Sequence, residues 1–249
     1  GVGYVPEGRF EREGIVLKPE DNAELMTALK IAVLCNNAEL RESAGMWQVI
    51  GDPTEGALLT VAGKAGLQKK VLESLHPFLG EIPFDSERKR MSVLRQSSGK
   101  RILFTKGAPD FVVNRSESIL INGKPGSLSP EQKNKVMQAN EKLAGQALRV
   151  LAVAYRDMDD GVAFDESSEN KLILVGLIAM MDPPRPEAKK AVELCEQAGI
   201  RTVMITGDHQ ETAMAVAREL GLMNENVSAI NGQDLDHMSD EELKNNVKR

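Results

Sequence analysis

Between residues 171 and 230 unbroken apolar runs alternate with helical segments, and this pattern narrows the fold more than any other feature of the chain. "KLILVGLIAM" (171–180) and "IRTVMIT" (200–206) lack the polar alternation of a half-exposed strand, and "VSAI" (227–230) is a third, shorter run. Between them, "PEAKKAVELCEQAG" and "HQETAMAVARELG" read as helices that end at Gly199 and Gly221. Continuous apolar strands alternating with helices imply a parallel sheet covered on both faces, hence an α/β unit.

The residues before this stretch follow another rule. "LGEIPF", "MSVLRQ" and "RILFTK" are short strands separated by charged or Gly-containing turns, a meander of antiparallel type. "GIVLK" and "RVLAVAY" are further strand-like pieces, and residues 156–170, rich in Asp, Ser and Gly, read as a loop. A helix is predicted to open at Asp21, with Glu24 at capping-box spacing. Others begin near Thr54 and cover "QKKVLESLH" and "GAPDFVVNRSE". In "SPEQKNKVMQANEKLAGQA" Ser129 is the cap, Pro130 stands in the first turn and Gln132 closes the box. The expected organisation is an α+β domain over 1–165, an antiparallel sheet flanked by helices, followed by an α/β unit over 166–249.

A formal net charge of -6 argues against a nucleic-acid surface, which needs clustered Lys and Arg. It leaves room for a nucleotide pocket, which needs only a few placed cations. The two cysteines, Cys35 and Cys195, each lie in a helical pattern, so free thiols are expected rather than a disulfide framework. His76, His209 and His237 are scattered and no metal-ligand spacing surrounds them. The longest apolar run, "LILVGLIAMM", has ten residues, too few for a membrane span. The chain begins without Met in a Gly-rich stretch, and the expectation is a soluble piece of something larger.

Six segments carry residues suited to chemistry. In "MITGD" a strand ends at Thr206-Gly207-Asp208 just before a helix, where hydroxyl and backbone N–H groups can hold phosphate oxygens; Asp208 could equally be a plain helix cap. "DPPRPEA" places Asp182 and Arg185 around two prolines, either facing a common site or forming a stiff connection. "FTKGAPD" puts Lys106 at a strand end and Gly107 at the following turn; taken alone, such a lysine is more often solvated than ligand-bound. Phe84 in "EIPFDSERKRMSV" stands beside a charged hairpin, either as a stacking platform for a base or as core. In "GDPTEGALL" Thr54 and Glu55 stand at a helix start, where capping and the helix dipole suffice to explain them. Arg149, in "LRVLAVA", either reaches a phosphate or is simply exposed.

Together these segments say more than each does alone. The order GDPTEGALL, PFDSERKRMSV, KGAP, LRVLAVA, DPPR, MITGD resembles the P-type ATPases, the ATP-driven ion pumps, and most of all their calcium-pump-like type II branch. The resemblance covers nearly the whole chain. It implies a nucleotide-binding domain followed by an incomplete phosphorylation domain of haloacid-dehalogenase-like, Rossmann-like fold. It implies that Phe84 stacks on adenine, that Lys106 and Gly107 line the adenine pocket, and that Glu55 lies near the polar edge of the base. Arg149 would reach the phosphates. Thr206, Gly207 and Asp208 would receive the γ-phosphate and steady Mg²⁺, with Asp182 and Arg185 nearby. One departure stands out: Ser86 occupies the place where animal calcium pumps commonly carry an arginine, so Arg88 or Lys89 is expected to supply that phosphate contact.

The family's nucleophile, the aspartate of Asp-Lys-Thr-Gly-Thr, does not occur in the chain, nor does its second acidic motif, Gly-Asp-Gly-Val-Asn-Asp. The first is expected upstream of Gly1 and the second downstream of Arg249. The chain is thus expected to be the cytoplasmic ATP-binding headpiece of an integral membrane cation pump, with ATP and Mg²⁺ as the parent's cofactors. Its partners would be the membrane, actuator and remaining phosphorylation segments, and the transported cation would bind outside this chain. Sodium, potassium or manganese pumps, a stand-alone nucleotide-binding module and a haloacid-dehalogenase-type phosphatase are the alternatives. The last would need its own nucleophilic Asp at the end of the first strand, and the chain offers no such element.

Overall fold

The computed structural model describes residues 3–43, 45–146, 148–159, 161–181, 186–206, 210–223, 229–230, 234–235 and 237–246. They fall into two compact units, Gly1–Leu143 with Arg149–Met180, and Ala144–Leu148 with Met181–Arg249.

The first unit is built on a seven-stranded sheet. Two small hairpins stand outside it: β1 (Phe10–Arg12) with β2 (Ile15–Leu17), and β3 (Glu39–Ser43) with β4 (Met46–Ile50). The sheet strands are β5 (Phe78–Asp85), β6 (Arg90–Ser97), β7 (Lys100–Gly107), β8 (Ser116–Ile121), β9 (Lys124–Ser127), β10 (Arg149–Met158) and β11 (Leu172–Met180). Their spatial order is β5-β6-β7-β10-β11-β8-β9. All neighbours are antiparallel except β11 and β8, which run parallel, so the sheet is mixed. The β6–β7 and β8–β9 hairpins turn on Ser98-Gly99 and Asn122-Gly123, whose positive φ values (48° and 81°, 50° and 72°) suit the tight turns that match strand twist.

Side chains one apart along a strand go to opposite faces, and here both faces are covered. Met91, Val93, Phe104, Val153 and Val175 join one core with α1 (Ala23–Leu34), α2 (Pro53–Lys64) and α3 (Lys69–Leu75). Leu94, Leu103, Ala152, Ala154 and Leu174 join the other with Val112 and Val113 of α4 (Pro109–Asn114) and Val136 and Met137 of α5 (Pro130–Ala144).

This coverage corrects the reading of "KLILVGLIAM". The run lacks polar alternation because β11 is packed on both faces, but it pairs antiparallel with β10 inside the first unit. The boundary between the units therefore follows Met180, and a division at residue 165 would cut a strand out of the sheet. Helix α1 is capped by Asn22, whose side chain accepts from Leu25 N at 2.8 Å, while Asp21 closes a 3-10 turn (Pro19–Asp21). "GAPDFVVNRSE" is helical only to Asn114, after which Ser116 begins β8. The reciprocal cap at α5 is as expected: Ser129 N donates to Gln132 Oε1 (2.8 Å) and Gln132 N to Ser129 Oγ (3.2 Å).

The second unit contains α6 (Pro186–Gln197), α7 (Gln210–Glu219) and α8 (Asp240–Asn246). Helix α6 ends where Gly199 N donates to Glu196 O and Ile200 N to Cys195 O, and α7 ends likewise at Gly221 and Leu222. Residues 201–206 form no strand, contrary to expectation. Val203 and Ile205 are 66% and 93% exposed, so these two side chains lack the packing that makes a ladder worthwhile. "VSAI" lies largely outside the described residues.

Candidate functional site

Four of the residues singled out from sequence, Phe84, Lys106, Gly107 and Arg149, lie at one end of the large sheet. Asp85, Arg90, Gly107 and Ala152 are Cα partners in a row across β5, β6, β7 and β10. Lys106, one residue in, pairs with Met91 and Val153. Phe84 precedes Asp85 on β5, and Arg149 lies three residues beyond Ala152 on β10, roughly 10 Å along the strand.

The N-terminus of α2 meets this end of the sheet. Asp52 caps it, accepting from Thr54 N (2.8 Å) and Glu55 N (3.1 Å). Capping therefore does not explain Glu55 or Thr54. Glu55 Oε1 pairs with Lys106 Nζ at 2.5 Å, and its Oε2 accepts from Asn37 N at 3.0 Å. Thr54 Oγ1 accepts from the Arg149 guanidinium at 2.5 Å. Lys106 is 6% exposed, so it is a buried, paired cation and not a solvated one. Beside it, burial pushes the Cys35 thiol up to about 12, against the opposing pull of the Lys106 charge.

Phe84 takes the opposite course from a core residue: it is 63% exposed at the strand end. Gly107 has a packing reason to be glycine. A Cβ there would stand 2.5 Å from Lys89 O and 2.7 Å from Arg90 Cα, backbone atoms that cannot swing aside. Arg88, expected as a phosphate contact, is otherwise engaged: its guanidinium pairs with the buried Glu169 (2.7 Å) and donates to Pro83 O (2.5 Å). Lys89 is exposed on the same turn, its ammonium 5.3 Å from the centre of the Phe111 ring.

Sequence reasoning missed Asn36, Asn37, Glu81 and Glu169. Asn37 bridges two carboxylates, donating from its backbone to Glu55 and from Nδ2 to Glu81 (2.8 Å). Asn36 ties the end of α1 to α2 through Glu55 O (2.9 Å). Asn36, Asn37 and Glu81 also line a cleft of about 420 Å³ with Lys69, Glu73, Phe78, Val93 and Arg95. The signal available was the Asn36-Asn37 pair directly after a helix, a composition typical of caps and turns. Of the second group, Thr206 is exposed at the end of residues 201–206, which form no strand. Asp182, Arg185, Gly207 and Asp208 lie outside the described residues. Among the described residues no three His, Cys, Asp or Glu side chains gather to hold a metal ion, and no helix is long and apolar enough to cross a membrane.

Residues 24–187 match the family described as "P-type ATPase, cytoplasmic domain N". Over its whole length the chain is 41% identical to a calcium-transporting ATPase of Bacillus subtilis (strain 168), of which it covers 28%. It is 41% identical, over 91% of its length, to calcium-transporting ATPase 1 of Lactococcus lactis subsp. lactis (strain IL1403), covering 26% of that protein. A cation-transporting ATPase of Synechocystis sp. (strain PCC 6803) is 39% identical over 98% of the chain, which covers 27% of it. The chain thus spans about a quarter of the length of the curated relatives it matches.

Proposed function

This chain belongs to the P-type ATPases, and from that premise we propose that its first unit binds ATP as the cytoplasmic headpiece of a calcium pump. The observation that carries the reading is the Glu55–Lys106 pair at the end of the sheet where Phe84 stands exposed. A base is apolar on its faces and polar at its edge. Phe84 offers the stacking face, Lys106 and Gly107 a pocket wall, and Glu55 an acceptor for the polar edge. Arg149, held at the mouth of the site by Thr54, supplies a cation for the phosphates, and Lys89 takes the part that Ser86 leaves open.

The second unit we read as part of a haloacid-dehalogenase-like phosphorylation domain, with Thr206, Gly207 and Asp208 receiving the γ-phosphate and its Mg²⁺, and Asp182 and Arg185 beside them. The exposed Val203 and Ile205 fit a strand whose neighbours come from other parts of a pump. Phosphoryl transfer rests on positioning and charge stabilisation. The transfer itself goes to an aspartate in Asp-Lys-Thr-Gly-Thr, which this chain does not contain, so the chain by itself binds ATP without turnover. The relatives at 41% identity are named calcium-transporting, which favours calcium over sodium, potassium or manganese.

Calorimetric titration with ATP tests the reading. Phe84→Ala is expected to weaken binding by ~1–3 kcal/mol, the worth of one base–aromatic stack. Unchanged affinity would remove the stacking role. Incubation with γ-labelled ATP and acid precipitation is expected to leave no label; a hydroxylamine-sensitive label would disprove the absence of a nucleophile.

A further inference from the structure

The connection between β10 and β11 reads as a polar loop, yet it delivers the most buried carboxylate among the described residues. Asp165 caps a 3-10 turn (Glu166–Ser168), with Ser167 N donating to Asp165 Oδ1 and Asp165 N donating to Ser168 Oγ. Arg156 grips the turn's exit, donating to Ser168 O and Asn170 O, both at 3.1 Å. Between these holds stands Glu169, 0% exposed. Its Oε1 accepts from Ser92 Oγ at 2.7 Å, and Ser92 in turn shares a hydrogen bond with Thr105. Its Oε2 lies 2.7 Å from Arg88 Nη1 and 2.8 Å from Arg90 Nε.

Arg88 belongs to the turn that joins β5 to β6, and Arg90 is the first residue of β6. Arg88 carries the link further, donating from Nη2 to Pro83 O, the carbonyl directly before Phe84. The main chain of the turn is equally constrained. Asp85 Oδ1 accepts from Glu87 N and Arg88 N, Lys89 has φ of 50°, and Lys89 O accepts from Ala108 N at 2.9 Å. This framework leaves Phe84 and Lys89 exposed, together with Pro83, Asp85, Ser86 and Glu87.

A buried ion cluster of this kind is weak as a source of stability, since apolar residues of like volume often do as well. Its effect here is geometric. One carboxylate from a loop 81 residues away holds the Arg88 guanidinium by a hydrogen bond and offsets the charge of Arg90, and Arg88 in turn holds the backbone that aims the exposed aromatic ring. The structure assigns Glu169 as a positioning residue for nucleotide binding, acting through Arg88 on the backbone that aims Phe84. The assignment rests on the proposed nucleotide role of Phe84.

Affinity for ATP, measured by calorimetry on the full chain under conditions where each variant is folded, tests it. Glu169→Gln is expected to weaken ATP binding about fivefold or more, within the range of coupled neighbours. In a Phe84→Ala background the same substitution is expected to change affinity by less than about twofold, because the ring it aims is gone. A merely destabilising change would move the urea midpoint equally in both backgrounds and leave affinity of the folded protein alone. Arg88→Met, which keeps the Arg90–Glu169 pair, is expected to weaken ATP similarly and serves if Glu169→Gln does not fold. If Phe84→Ala weakens binding while Glu169→Gln and Arg88→Met bind as the parent does, the positioning role is wrong and the nucleotide reading stands. An equal loss in both backgrounds also overturns it. If Phe84→Ala itself changes nothing, the nucleotide reading fails first.

Discussion

Replacing Lys106 by Met removes one half of the ion pair at the sheet's end while keeping most of the side-chain volume. The two charges stand 2.5 Å apart, with the lysine side chain 7% and the glutamate side chain 14% exposed. Breaking a buried pair by removing one partner costs about 3–5 kcal/mol, mostly because the remaining charge has lost its counter-ion. Glu55 keeps the Asn37 N–H and some contact with solvent, so the low end, about 3 kcal/mol, is expected. For a chain of this size that corresponds to a drop in Tm of about 6–12 °C. Adding Glu55→Gln removes the stranded charge, and the double variant is expected to recover about 2 kcal/mol of the loss. Urea unfolding, followed by circular dichroism and by the fluorescence of the single tryptophan, Trp47, measures each step of the cycle. A cost below about 1 kcal/mol for Lys106→Met, or additive losses in the double variant, would refute the claim that these charges depend on one another.

Gly107→Ala sets a Cβ against the backbone of Lys89 and Arg90, so it is expected to destabilise the chain by about 2–3 kcal/mol and weaken ATP binding in the same variant; a parent-like urea midpoint would show that the strands separate freely there. Iodoacetamide at pH 8 is expected to modify Cys195 while Cys35, fully buried with its thiol near 12, stays unlabelled in the folded chain, as peptide mapping would show. The same burial has a sign for stability: the folded thiol titrates above its ordinary value of 9.0, so its contribution is complete below pH 9 and is lost as pH climbs toward about 12. A urea midpoint that rises over that window would contradict it. In hydrogen exchange, amides of 201–206 are expected to be less protected than those of β6, β7 and β10, because that segment has no ladder; equal protection in a proven monomer would show that it is self-sufficient.

Much of the first unit could be read from local pattern. The β5–β6–β7 meander and the cap of α5 depend on neighbours in sequence, and both stand as expected. The hairpin β8–β9 was not expected, although Asn122-Gly123 is a strong turn signal, and the helix before it stops at Asn114, short of the expected Glu117. For β11 the difficulty was physical. Absence of alternation reports that both faces are covered, and it says nothing of strand direction or of which sheet the strand enters. At the site, residue types were legible and their states were not. Lys106 and Phe84 each stood opposite to the commoner expectation for its type, one buried and one exposed, because partners in α2 and the β5–β6 turn decide the matter. Glu169 had no local signal at all, as its burial depends on arginines far away in sequence.

The position of β11 also sets a timetable for making the protein. The hairpin β8–β9 touches the rest of the sheet through β11, yet some fifty residues separate the end of β9 from the end of β11. At ribosomal speeds the finished hairpin waits about 3–10 s for the strand that joins it to β10. During that interval the β8 edge that ends up inside the sheet is open to any passing chain, joined by the β10 edge once Met158 is made. Crowded synthesis of several copies on one messenger is then the circumstance in which mispairing is expected, and the length of chain between β9 and β11, α5 and β10 included, sets how long the exposure lasts.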